Sequence, residues 1–242
     1  PRLSPEQREG LIAKAVDWLE ANASTARLAE PDDAELRRLM NMATGEEMGD
    51  LEFEARREQL AFKDFPFFAQ WEGERPEVPE DFNVIIVGSG FSGVVMAVQC
   101  QLLGVPYTII EKGDEPGGTW NINRYPDIRV DTISLTYELS FEKDWRWQQY
   151  FGRGEEVRSY ISQVSRKYGV LANTRFNHAL EQASFDEARS KWLLDVETPG
   201  GSERMEANVL VTAMGLFANP KVVDFPGRDE FKGEIVHPAR WP

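Results

Sequence analysis

Gly88, Gly90 and Gly93 stand in the spacing G-x-G-x-x-G, with Ser89, Phe91 and Ser92 between them. An acid, Glu111, followed by Lys112, comes at roughly the 20-residue offset at which a dinucleotide-binding site takes up a ribose hydroxyl. Residues of these types at this spacing can hold a pyrophosphate. Glycine lets it approach the backbone, and the unpaired N–H groups of a helix N-terminus favour negative charge. A second cluster, Gly117-Gly118-Thr119-Trp120, offers another close backbone approach, a hydroxyl and a flat ring. A third is the charged run from Asn123 to Thr132. Within it Arg129 and Asp131 stand two apart, where they could pair with each other and with a cofactor.

A glycine triplet alone is a weak signal, so the flanking elements must carry it. Val84 to Val87 is a short apolar run rich in β-branched residues, the pattern of a strand buried on both faces of a parallel sheet. Val94 to Leu103 reads as the helix that follows, ended by Gly104-Val105-Pro106. Tyr107 to Ile110 reads as a second buried strand, closed by Glu111. Strand, glycines, helix, strand and acid occur in the order an adenine dinucleotide requires. Further on, Val157, Tyr160, Ile161, Val164 and Tyr168 share a helix face that Gly169 ends. Phe176 to Phe185, which includes Leu180, and Lys191 to Glu197 read as a strand pair with a turn over Asp186 to Ser190. Val209 to Thr212 reads as another buried strand, and Gly215 follows it where the sheet meets the cofactor again. Residues 227–242 are polar and loop-like.

The first 80 residues differ in texture. They carry 19 acidic and 10 basic side chains, most of the net charge of −14. Ser4, Pro5 and Gln7 form a helix start with a capping box, and Leu11, Ile12, Ala15, Val16, Trp18 and Leu19 recur on one face. Asp32 or Asp33 can cap a second helix carrying Leu36, Leu39 and Met40 and stopped near Gly45, and a third helix is expected over 46–62. This extension is either a helical cap or an oligomerisation surface, since its apolar stripe and tryptophans Trp18 and Trp71 must bury against something. Phe65 to Phe68 and Arg75 to Pro79 read as a stiff linker.

The acidic balance argues against nucleic acid as a general partner, because a phosphate backbone needs a basic face. The single cysteine, Cys100, allows no intrachain disulfide and reads as a small buried apolar residue. No run of about 18 apolar residues offers a membrane span, and the first residues lack the apolar core of a signal peptide. A cytoplasmic location is expected. Asn22-Ala23-Ser24 is formally a glycosylation sequon, read as chance.

The last residues, Phe231-Lys232-Gly233-Glu234-Ile235-Val236-His237-Pro238-Ala239-Arg240-Trp241-Pro242, match F-x-G-x-x-x-H-x-x-x-W-P. With the glycine fingerprint, Gly117 to Trp120, and Arg124-Tyr125-Pro126 through Asp131, the chain from residue 82 onward resembles the Baeyer–Villiger monooxygenases. The acidic extension is similar to that of 4-hydroxyacetophenone-type members. The resemblance implies an α/β fold: a Rossmann-like FAD-binding domain over 81–242, with a parallel sheet and a small β-meander, after an all-α extension over 1–80.

It further implies FAD and NADPH as cofactors, O2 and a small-molecule ketone as substrates, and an ester or lactone as product; the apolar helix faces of the extension, in turn, lead us to expect a homodimer formed through it. Gly88 to Gly93, Glu111 and Lys112 would hold the ADP part of FAD. Gly118, Thr119, Trp120, Tyr137, Leu180 and Gly215 would line the rest of the cofactor, and Asp131 would position an active-site arginine. Arg129 and Asp131 would border the nicotinamide. His237 and Trp241 would belong to a linker coupling cofactor binding to domain movement. Asp127 departs from the glycine the family usually has after Tyr-Pro. The family's second Rossmann domain would lie past Pro242, which makes this chain a first portion, inactive alone. Two other readings stand beside it. One is an N- or S-oxidising flavin monooxygenase, opposed by Trp241-Pro242. The other is a non-catalytic flavin-binding or dimerisation module. A flavin-dependent disulfide reductase is excluded, because it needs a pair of cysteines.

Overall fold

The structure, a computed structural model, describes residues 3–22, 31–60, 68–216, 219–221 and 223–242. The chain divides into two units, Pro1–Pro66 and Phe67–Pro242. In the first unit, helix α1 spans Pro5–Asn22. Its capping box is reciprocal: Gln7 N–H donates to Ser4 Oγ at 3.2 Å, and Ser4 N–H donates to Gln7 Oε1 at 2.9 Å. None of its residues is buried, and the stripe of Leu11, Ile12, Val16, Trp18 and Leu19 is exposed. Helix α2, Asp33–Thr44, is capped by Asp32, which accepts from Glu35 N–H at 2.8 Å, and ends on Gly45 in the left-handed region.

Helix α3 covers Asp50–Leu60 rather than starting at Glu46. The residues before it are spent on the connection, where Met48 is buried and its N–H donates to Asn41 Oδ1 at 3.1 Å. Phe53 packs into this unit under the Arg37 guanidinium, 4.2 Å from its ring centroid. The end of the expected third helix, residues 65–67 of the expected linker and Ala23-Ser24 of the sequon lie outside the described residues.

The second unit is built on a four-stranded parallel sheet in the order β3-β2-β1-β7. Strand β1 is Val84–Val87, β2 Tyr107–Glu111, β3 Thr174–Phe176 and β7 Val209–Thr212. Successive side chains of a strand point to opposite faces, and β1 shows the consequence. Val84 and Ile86 pack with helix α4, Phe91–Leu103, and, past the one-turn helix α5, Thr119–Ile122, with helix α6, Gly154–Lys167. Ile85 and Val87 pack instead against Leu194, Val196 and Ala207. Those three belong to an antiparallel sheet, β4-β5-β6, of Ala179–Asp186, Lys191–Thr198 and Gly201–Ala207. Cys100 is buried on α4, as its type suggested.

The strand expected over 176–185 proves to be two. Asn177 adopts φ 57° and breaks the run, so Phe176 stays in the parallel sheet while β4 begins the meander. Asparagine tolerates this region because its short polar side chain bonds locally. Strand β7, read as buried, is partly exposed.

Tyr160 is fully buried on α6. Leu139 N–H donates to its hydroxyl at 2.8 Å, and the hydroxyl donates to the Glu142 carbonyl at 2.9 Å. Burial holds its pKa well above the usual phenol value. The unfolded phenol therefore loses its proton first as pH rises, near pH ~10, and stability contributed by the neutral folded form is full below that pH and lost above it. Tyr160→Phe is expected to cost about 1–3 kcal/mol at neutral pH by orphaning two buried backbone groups. It should also flatten the fall in stability above pH ~10. Urea unfolding of both proteins from neutral to alkaline pH checks the two effects.

Candidate functional site

A cavity of about 290 Å³ opens where β1, β2 and β7 meet the N-terminus of α4. Gly88 leaves β1 at φ 102°, and a Cβ there would stand 2.7 Å from the Ala213 carbonyl oxygen. The turn is held to both neighbouring strands, with Gly88 N–H donating to Ile110 O and Ala213 N–H to Val87 O. At Gly93 a Cβ would lie 1.9 Å from the Gly88 carbonyl oxygen, so only glycine lets α4 close on the turn. Gly90 faces Gly118 backbone to backbone, and Gly117 N–H donates to Ser89 O at 3.1 Å. The two glycine clusters read separately in the sequence are thus one surface.

The expected cofactor residues Gly88, Gly90, Phe91, Ser92, Glu111, Lys112, Gly118, Thr119, Trp120, Tyr137, Leu180 and Gly215 all line this cavity. Ser89 and Gly93 do not; both are buried behind it. Trp120 donates its indole N–H to the Tyr137 hydroxyl at 3.2 Å, and the two rings meet edge to face. Gly154 leaves room for Trp120, since a Cβ there would stand 3.1 Å from its ring.

Glu111 is 8% exposed, and its carboxylate is already engaged by the protein. Oε2 accepts from Ser89 N–H at 2.7 Å and from Ser89 Oγ–H at 2.8 Å, while Oε1 accepts from Gly113 N–H at 2.8 Å. A carboxylate has about four acceptor sites. Three go to stapling the first turn to the end of β2, which leaves one toward the cavity.

Sequence reasoning missed His178, Met214 and Asn219, which also line the cavity. His178 Nδ1 lies 2.7 Å from Phe176 O, and Lys112 Nζ donates to Asn219 Oδ1 at 3.2 Å. The turn-forming Asn177 was the available signal for His178.

Arg129 and Asp131 do not form the expected pair. Arg129 binds Asp127, with Nη2 and Nε at 2.7 and 2.9 Å from Oδ1, and also Gln149 and the Phe151 carbonyl. Asp131 is exposed and lines neither this cavity nor the next. The cause is Asp127, at φ 58°. It keeps the left-handed backbone that glycine would take most easily, and its carboxyl pKa is lowered, first by the hydrogen bond from Arg129 and then by that charge. A second cavity of about 590 Å³, lined by Arg124, Tyr125, Asp127, Arg153 and Arg158, shares the Trp120 wall. Tyr125 packs on Trp241 with ring centroids 6.4 Å apart, which brings two of the quoted sequence motifs together.

The glycine turn, the stapling acid and the parallel sheet define a dinucleotide-binding Rossmann domain. Residues 86–153 match the NAD(P)-binding Rossmann-like domain. A Baeyer–Villiger monooxygenase of Streptomyces coelicolor (strain ATCC BAA-471 / A3(2) / M145) is 34% identical over 169 residues, which cover 69% of this chain and 32% of that protein. A phenazine N-monooxygenase of Lysobacter antibioticus is 33% identical over 166 residues, covering 66% and 30%. The crystal structure of OTEMO in complex with FAD and NADP superposes with a TM-score of 0.61 at 29% identity, covering 67% of this chain and 31% of that one. The chain is related to the flavin-dependent monooxygenases, Baeyer–Villiger enzymes among them. It spans about a third of the length of these relatives. Among the described residues, no helix is long and apolar enough to cross a membrane.

Proposed function

We propose that this chain is the FAD-binding portion of an NADPH-dependent Baeyer–Villiger monooxygenase, which inserts one atom of O2 beside a ketone carbonyl to give an ester or lactone. The observation that carries the reading is the convergence of both glycine clusters, Glu111 and the Trp120–Tyr137 pair on one cavity. The residues present fit the group. A Cβ at Gly88 or Gly93 would collide with backbone, and α4 presents its N-terminus to the space between. Bound there, FAD supplies the redox centre for O2 activation, and NADPH supplies the hydride.

The chain's own residues bind and orient. Backbone N–H groups at the start of α4 meet the pyrophosphate. The free acceptor site of Glu111 takes a ribose hydroxyl, with Lys112 and Leu180 beside it. Thr119, Trp120 and Tyr137 wall the ring end and keep it from water. Asp131, exposed here, orients an arginine in the whole enzyme, and that charge-assisted pair would favour a developing negative charge.

A second reading, oxidation at nitrogen, has the phenazine N-monooxygenase in its favour, while Trp241-Pro242 favours ketone oxidation. The whole protein, loaded with FAD and supplied with NADPH and O2, should convert a ketone from a test panel to a product one oxygen heavier, with ester or lactone infrared absorption. Formation of N-oxides from amines or heteroaromatic nitrogens, with ketones untouched, would establish the second reading instead. Failure to retain FAD would remove both.

A further inference from the structure

We propose that a chain of aromatic rings, tyrosines and tryptophans bridged by Phe91, leads from the cofactor cavity to Trp147, and that Trp147 with Glu138 is a one-electron donor site that drains stray oxidising equivalents from the cavity. This rests on the reading of the cavity as a flavin site. The path starts at Trp120 and Tyr137, both on the cavity wall, with ring centroids 5.7 Å apart. Phe91 bridges Tyr137 and Tyr160 at 5.4 and 6.1 Å. The buried Tyr160 then contacts Trp147 at 5.4 Å and Trp145 at 5.8 Å. Rings in van der Waals contact exchange electrons readily, and tryptophan and tyrosine are the side chains from which an electron is most easily taken.

The two terminal tryptophans differ in one decisive respect. Trp147 donates its indole N–H to Glu138 Oε2 at 2.9 Å. The Glu138 side chain is 4% exposed, and its other oxygen meets Lys143, which is half exposed and solvated, at 3.3 Å. The Trp145 indole N–H is buried without an acceptor among the described residues. Removing an electron from an indole leaves a cation with an acidic N–H. A hydrogen-bonded buried carboxylate stabilises that cation and can take its proton, whereas a buried N–H facing no acceptor cannot. The positive hole therefore settles on Trp147.

The balance is simple. A one-electron oxidant formed in the cavity, a reactive-oxygen radical or a light-excited flavin, gains one electron from Trp120 or Tyr137. That ring is refilled through Tyr160 from Trp147, whose N–H proton is shared with or passed to Glu138. A thiol in solvent gives Trp147 its electron back, leaves as a thiyl radical, and supplies the proton that restores the indole.

The test uses the full chain loaded with FAD, with bound flavin first measured by absorbance and fluorescence quenching. A laser pulse at the flavin band supplies the oxidant. A tryptophan radical is then followed by transient absorbance and by electron paramagnetic resonance on frozen samples. In the parent protein a long-lived tryptophan radical is expected, shortened by added thiol. Trp147→Phe, which keeps a ring in the core, should remove it, while Trp145→Phe should leave it. Glu138→Gln keeps an acceptor but loses the charge, and should shorten the radical lifetime about tenfold, the factor that corresponds to about 1.4 kcal/mol. Flavin bound with an unchanged radical in Trp147→Phe, or with no tryptophan radical in the parent protein, would overturn the proposal and leave the flavin site standing. Absence of bound flavin would overturn the flavin site and the proposal with it.

Discussion

Gly93→Ala in the full protein is expected to weaken FAD binding about 100-fold or more, equivalent to about 2.7 kcal/mol, and to lower Tm. The added Cβ would lie 1.9 Å from the Gly88 carbonyl oxygen and 2.9 Å from its carbon, both backbone atoms that no rotamer change can move. Either α4 or the turn must shift, which forces apart the surface that receives the pyrophosphate. Overpacking of this kind costs about 1–3 kcal/mol, and each kcal/mol lowers Tm by about 2–4 °C in a domain of this size. Gly90 supplies the control. A Cβ there meets the Gly118 Cα and N at an ordinary 3.4 and 3.8 Å. Gly90→Ala should therefore fold normally, whereas Gly90→Val should keep Tm and lose ligand by filling its space. Calorimetry and flavin titration separate the two modes. A Gly93→Ala protein with parental Tm and affinity would show that the turn is not built as described.

Glu111→Ala is expected to lose stability and FAD together, for different reasons. In the protein alone it strands the N–H groups of Ser89 and Gly113, while the Ser89 hydroxyl can rotate to another acceptor. One buried donor, Ser89 N–H, and one half-buried donor, Gly113 N–H, lose their acceptor, at a cost of about 1–3 kcal/mol for the first and less for the second, which water can reach. The lost ribose contact adds a ten- to hundred-fold drop in FAD affinity, about 1.4–2.7 kcal/mol. Glu111→Gln divides the effects. Its amide oxygen can still accept from Ser89, but its NH2 then faces the Gly113 N–H, donor against donor. It should fall between the parent and Glu111→Ala in Tm. Unchanged Tm in Glu111→Ala would rule out the staple; reduced Tm with parental FAD affinity would rule out the ribose contact.

The parts legible in the sequence are those whose geometry is local. Val84 to Leu103 is one strand, one turn and one helix, and each glycine's task follows from its neighbours in the chain. Tyr107 to Glu111 needed only the next crossover. The far wall of the cavity is assembled by topology. His178 and Asn219 reach it from chain segments that no periodicity links to the glycine turn. The loop at Asp127 shows a different limit. Arg129 has an acid two positions before it and another two positions after it, and spacing alone cannot choose between them. The left-handed backbone at Asp127 made the choice. Strand β6 was passed over because Gly-Ser-Glu-Arg-Met-Glu-Ala shows little apolar alternation. It is held by its ladder to β5 and by ion pairs such as Arg204–Asp195 and Arg189–Glu206.

The register of β1 has a consequence for how the chain is made. On one side Val84 pairs with Tyr107, but on the other with Val209, and Asn83 N–H donates to the Asn208 side chain at 3.0 Å. At a synthesis rate of about 5–20 residues per second, β1 waits on the order of ten seconds for its second neighbour. The meander that covers Ile85 and Val87 is completed only just before. For that interval the most apolar strand of the domain carries an unpaired edge and a bare face, the features that invite association between nascent chains. Closure by β7 is a long-range pairing, and it costs more loop entropy than closure of the local strand–helix–strand unit.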